Sequence, residues 1–129
     1  MRRFAVWLWS GMLLFGTAGM LASQPLGRPV VIVPIAGTVD DGMAHLVERS
    51  VELANQEHAR AIVLEVNSPG GLVDAAFRIR DALFSSQEPV DAYVSERAYS
   101  AAALITLTAR QIIMGPGASI GAAEPIPAT

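Results

Sequence analysis

Short β-branched runs alternate along this chain with amphipathic helical stretches, and that alternation constrains the fold more than any other feature. Val30-Val31-Ile32-Val33-Pro34-Ile35 is a continuous apolar run of the kind found in strands buried on both faces, and Gly37 closes it. Asp40 or Asp41 can cap a following helix in which Met43, Leu46, Val47, Val51 and Ala54 recur at three and four residues, with Glu48, Arg49, Glu52 and Asn55 facing water. Residues 61–67 read as a second strand, broken by Ser68-Pro69-Gly70-Gly71. Leu72, Ala75, Ala76, Ile79 and Leu83 then form a helical stripe, with Asp74, Arg78 and Asp81 opposite, and Pro89 ends it. Residues 90–95 are expected as a third strand, 100–107 as an almost wholly apolar helix, and 111–114 as a short strand before Gly115-Pro116-Gly117. Strands followed by helices without interruption predict an α/β fold with mainly parallel strands and crossover helices.

Not all 129 residues belong to that domain. Arg2 and Arg3, an apolar run from Phe4 to Phe15 and small residues up to Ala22-Ser23 have the order of a secretory signal peptide. Residues 1–23 are therefore read as a signal peptide or retained signal anchor, and either places the rest outside the cytoplasm. Residues 24–129, about 105 of them, make one small domain. With 52% hydrophobic and 16% charged residues it is expected to fold rather than stay disordered. The net charge is −3 and becomes more negative without Arg2 and Arg3, and no basic cluster remains, which disfavours a nucleic-acid partner. The absence of cysteine excludes disulfides, thiolate catalysis and cysteine-ligated zinc.

Three places can carry chemistry. A Pro-Gly-Gly turn leaving a buried strand presents N–H donors with no side chain in the way, and Gly71 can take positive φ without penalty, which suits an oxyanion. The bland alternative is a plain loop. Ser100 opens an uncharged helix; Ser is a common N-cap, but here its hydroxyl and the Ala101 N–H would meet at the positive end of a buried helix, where developing negative charge is favoured. The stretch 115–123 is neither a dinucleotide fingerprint, being one residue too long between glycines, nor a P-loop, which needs a Lys. It reads instead as a small-residue strand against which a substrate backbone can lie, with Gly117, Ser119 and Gly121 as contacts beside Gly70. His45 and His58, placed on the first helix, lack i, i+4 spacing, so no metal site is expected, and no cofactor motif is found.

Asn67-Ser-Pro-Gly-Gly71 leading into a helix, Ser100-Ala-Ala-Ala after a strand, and Met114-Gly-Pro-Gly-Ala-Ser-Ile-Gly-Ala-Ala-Glu-Pro-Ile126, in that order, resemble the Clp-protease/crotonase superfamily. More specifically, they resemble the membrane-bound serine proteases of the NfeD long form, relatives of signal peptide peptidase A. The resemblance covers about residues 29–127. It implies a Clp/crotonase-like spiral of ββα units, of which this chain would hold the N-terminal portion only. It implies Ser100 as nucleophile, the Gly71 and Ala101 N–H groups as oxyanion hole, and a Lys as general base. A hydrophobic or membrane-associated polypeptide is the implied substrate, with homo-oligomers and a stomatin-type membrane protein as implied partners.

The chain departs from that pattern in one respect: all nine of its basic residues are Arg. Either the sequence stops before the family's Lys, or the protein has lost its base; the intact nucleophile region favours the first. In both cases this chain by itself is expected to have little or no peptidase activity. A sheet lacking its later strands is also expected to expose an edge and an apolar face, with poor solubility. A non-catalytic peptide-binding scaffold of the same fold is the alternative reading. An acyl-CoA enzyme would share the oxyanion logic, but a secretory leader argues against an intracellular thioester.

Overall fold

The computed structural model describes residues 27–123; the leader assigned to residues 1–23 lies outside them. Five strands and three helices follow one another as β1 (Val30–Val39), α1 (Asp41–Gln56), β2 (Ala61–Gly71), α2 (Val73–Phe84), β3 (Val90–Tyr99), α3 (Ala101–Thr106), β4 (Gln111–Met114) and β5 (Ser119–Gly121). All strand pairs are parallel, in the order β1-β2-β3-β4, with β5 continuing along the far end of β3. The α/β class read from the sequence is the fold observed.

Strands connected in sequential order by right-handed crossovers carry all their helices on one side of the sheet. Val33, Ile35 and Val39 of β1, Ile62, Leu64 and Val66 of β2, and Val90, Ala92 and Val94 of β3 point to that side and are buried. They meet Met43, Ala44, Val47, Val51 and Ala54 of α1, Ala75, Ala76, Ile79 and Leu83 of α2, and the alanines and Ile105 of α3. The helical periodicity named the buried face of α1 apart from Leu46, which is only half-buried, whereas Ala44 is fully buried.

The reading of the first run as a strand buried on both faces is corrected. Its alternate residues Val30 and Ile32 are 49% and 64% exposed. Register aligns Ile32 with Val63, and Pro34 with Glu65, Tyr93 and Ile113, on the face opposite the helices. Among the described residues nothing packs there. Hydropathy could not report this, because a β-branched run has the same composition whether one face or both are covered.

Asp40 caps α1 by accepting a hydrogen bond from the Met43 N–H at 2.8 Å. α1 ends at Gln56, so His58 does not lie on it; His58 stands in the turn beyond with φ +48°, its carbonyl accepting from Arg28 Nε at 2.6 Å. Arg78 is not on a free outer face either. Its guanidinium donates to both carboxylate oxygens of Glu48 and to Asp41, tying α2 to α1 beside a groove of about 460 Å³ that Glu48, Arg78, Asp81 and Ser85 help to line. Such half-exposed pairs contribute little, about 1 kcal/mol or less.

Two strands run further than their sequences indicate. β2 does not break at Ser68 but continues through the Pro-Gly-Gly segment, pairing Gly70 with Thr38 and Gly71 with Val39 after a register slip between Ala36 and Thr38. β3 passes Ser95 through the polar Glu96-Arg97 and ends at Tyr99, pairing with Ser68 of β2 and with all of β5. These extensions carry the glycine pair and Ser100 to the same end of the sheet.

Candidate functional site

The site is assembled where β2 and β3 leave the sheet. Ser100 sits between the last residue of β3 and the first of α3, with φ +52° and ψ −122°. A residue with a Cβ reaches this region only under constraint, at about 1–3 kcal/mol, and such strain persists where the surroundings over-determine it. Here the Ser100 N–H donates to the Gly121 carbonyl at 2.9 Å, and its own carbonyl accepts from the Leu104 N–H at 3.2 Å. Its side chain makes no capping bond to α3 and is exposed to solvent. The hydroxyl that ordinarily closes a helix N-terminus is therefore free to act elsewhere.

Gly70 lies directly against this serine. A Cβ built on Gly70 would stand 2.8 Å from both Ser100 Cβ and the Tyr99 carbonyl and 3.2 Å from the Ala101 nitrogen, and Gly70 has φ +101°. Only glycine fits, for reasons of space and of conformation. A Cβ on Gly71 would likewise run into the backbone carbonyl and nitrogen of Val39. The neighbouring Leu72 N–H donates to the Val39 carbonyl at 2.9 Å, so strand alternation turns the Gly71 N–H to the other edge of β2, the edge from which β3 delivers Ser100. Ala101 is the first helical residue, so its N–H is among the donors that α3 itself leaves unpaired.

Of the remaining predicted contacts, Gly121 is brought to Ser100 through the hydrogen bond just described. Ser119 lies two residues earlier on β5, its hydroxyl 2.6 Å from the phenol of Tyr99. Gly117 is not on a strand: residues 115–118 form a turn closed by the Ala118 N–H on the Gly115 carbonyl at 3.0 Å, and only Ser119–Gly121 of the stretch is extended. Among the described residues no group of His, Cys, Asp and Glu could hold a metal ion.

Three residues were missed by sequence reasoning. Ser68 is fully buried and its Oγ accepts the Gly70 N–H at 3.1 Å, a local turn bond that the Ser-Pro-Gly-Gly string itself could have signalled. Ser68→Ala leaves that buried N–H unpaired and is expected to cost about 1–3 kcal/mol, read as a lower urea midpoint at unchanged slope. Tyr99 had no signal, because its partner is 20 residues away on another strand. Asn67, at the register slip of β2 against β3, has a buried Oδ1 with no partner among the described residues.

Fold and site together define a Clp-like α/β domain in which a strained, solvent-facing serine stands against a glycine pair. The chain belongs to the NfeD1b N-terminal domain family, whose profile matches residues 29–129. It is 40% identical over 114 residues to the membrane protein NfeD1b of Bacillus subtilis, covering 88% of this chain and 26% of that protein. It is 37% identical over 110 residues to the membrane-bound protease PH1510 of Pyrococcus horikoshii, covering 82% of this chain and 25% of that one. Among solved structures, a lysine-to-alanine variant of the 1510-N membrane-bound stomatin-specific protease, in complex with a substrate peptide, superposes with a TM-score of 0.73 at 34% identity, over 79% of this chain and 48% of that one. ClpP1 from Listeria monocytogenes superposes with a TM-score of 0.57 at 26% identity, over 60% and 46%. The chain thus spans about a quarter of the curated relatives and about half of the solved chains. Those relatives are membrane proteins; among the described residues no helix is long and apolar enough to cross a membrane.

Proposed function

We propose that this chain is the nucleophile-bearing part of an extracytoplasmic serine endopeptidase of the Ser/Lys type, acting on hydrophobic or membrane-associated polypeptides. The observation that carries the reading is Ser100 itself, held with its Cβ against Gly70 in a backbone conformation that serine adopts only under constraint and with its hydroxyl making no capping bond. The names of the relatives, a membrane-bound protease and a stomatin-specific one, support a polypeptide substrate and a stomatin-type partner. A homo-oligomer is proposed from the family resemblance alone.

In this mechanism a neutral amine accepts the Ser100 hydroxyl proton as Oγ attacks the scissile carbonyl carbon. The electron pair of the C=O bond moves onto oxygen, and the Gly71 and Ala101 N–H groups donate to that oxyanion. Collapse reforms the carbonyl and expels the leaving amine, which takes the proton from the base; water then releases the acyl group by the same sequence in reverse roles. The base is not among these residues, since the sequence contains no Lys. The second reading is a scaffold of the same fold that binds a peptide beside Ser100 without cleaving it.

A fluorophosphonate probe applied to the protein expressed from its complete reading frame separates the two. Labelling of the wild type and none of Ser100→Ala is expected; equal labelling of both removes Ser100 as nucleophile and leaves the scaffold.

A further inference from the structure

We infer that Tyr99 and Ser119 form a clamp that positions Ser100, and that Ser119 serves the site by this hydrogen bond rather than by touching substrate. The inference deepens the proposed nucleophile role of Ser100 and rests on it.

The strained serine is held from one side by the Gly121 carbonyl, 2.9 Å from the Ser100 nitrogen. Gly121 is the last residue of β5, a strand of only three residues that pairs with β3 through Arg97, Ala98 and Tyr99. A strand so short, preceded by the turn 115–118 and followed by Ala122 at φ +53°, has little of its own to keep it in register. What fastens it is a side chain from the residue immediately before Ser100. The Tyr99 phenol reaches diagonally past its register partner Gly121 to Ser119, where the two hydroxyls lie 2.6 Å apart and both residues are half-buried. Diagonal cross-strand pairs of this span are within reach of an aromatic side chain.

The consequence follows from geometry. Breaking the Tyr99–Ser119 bond frees β5 to slip or fray, the Gly121 carbonyl leaves the Ser100 N–H, and nothing on that side opposes relaxation of Ser100 toward an ordinary φ. The Ser100 side chain would then leave its place beside Gly70. Tyr99 and Ser119 are therefore positioning residues that act through Gly121 and touch no reacting atom.

The test uses the protein from its complete reading frame, with Tyr99→Phe, Ser119→Ala, the double variant and Ser119→Thr. Tyr99→Phe is expected to slow fluorophosphonate labelling at position 100 about tenfold, the effect of one lost hydrogen bond at a strained site. Ser119→Ala should match it, the double variant should fall no further, and Ser119→Thr, which keeps a hydroxyl, should restore the rate. Peptide cleavage, with rates scaled to the folded fraction measured for each variant, should lose kcat with KM unchanged. Amide hydrogen exchange reads the clamp without any activity: the Ser100 N–H should exchange faster in Tyr99→Phe while the Ile62 and Val94 amides stay protected. If the wild type fails to label, the nucleophile reading fails, and the exchange arm still decides the clamp. Unchanged exchange at Ser100, or equal acceleration throughout β3, overturns it. Should Tyr99→Phe not fold, Ser119→Ala carries the same outcomes.

Discussion

Gly70→Ala is expected to destabilise the protein by about 3 kcal/mol or more and to abolish probe labelling of Ser100, because two independent costs fall on one methyl group. The added Cβ meets Ser100 Cβ and the Tyr99 carbonyl at 2.8 Å, and neither is the flexible end of a side chain that could swing aside. The backbone at φ +101° is also one that alanine rarely adopts. Relieving the clash requires β2 and the turn after β3 to separate, and with them the glycine N–H groups and the hydroxyl. Gly117→Ala is the control. Its φ of +74° imposes a conformational penalty, but a Cβ there meets nothing within 4 Å, so only about 1 kcal/mol is expected and the geometry around Ser100 should survive. Urea denaturation of both variants checks the contrast. Equal, small losses would mean that the close approach of β2 to Ser100 is not what holds the site.

At position 100 itself, stability and chemistry should move in opposite directions. In the protein expressed from its complete reading frame, Ser100→Ala removes the proposed nucleophile and should lower peptide cleavage by several orders of magnitude, about 10³-fold or more, while hardly changing the urea midpoint. The hydroxyl makes no capping bond to α3, so its loss costs α3 nothing. Ser100→Gly should be equally inactive and yet more stable than wild type by about 1 kcal/mol, because glycine takes φ +52° and ψ −122° without the Cβ penalty. A glycine variant no more stable than the alanine one would show that this backbone stores no strain. The direction matches a general pattern: residues placed for reaction are often not those that stabilise best.

Much of the architecture was legible because it rests on local periodicity. The 3.6-residue pattern in α1 and α2 marks Val47, Val51, Ile79 and Leu83 as buried, and all are. The β-branched runs mark β1 and β2, and the Gly-Gly and Ser-Ala strings mark the two segments that meet at the site. The strand ends were not legible. Ser95-Glu96-Arg97 and Ser68-Pro69-Gly70 have loop compositions, yet both remain in strands because each finds backbone partners on a neighbour. Nor was the one-sided burial of β1, which depends on all three crossovers turning the same way.

From its order of residue types alone, this sequence determined the α/β alternation, most of the buried faces of its helices, the lack of lysine and the presence of a glycine pair and a helix-opening serine in a recognisable order. Those properties are encoded within stretches of a few residues. That Gly70 touches Ser100, that the Gly121 carbonyl accepts its N–H from the other side, and that the hydroxyl is left uncapped and exposed were decided only in the tertiary structure. Those contacts join positions some 20 to 30 residues apart, and they arise from strand register, which side-chain chemistry along the chain specifies only through the packing of the whole sheet.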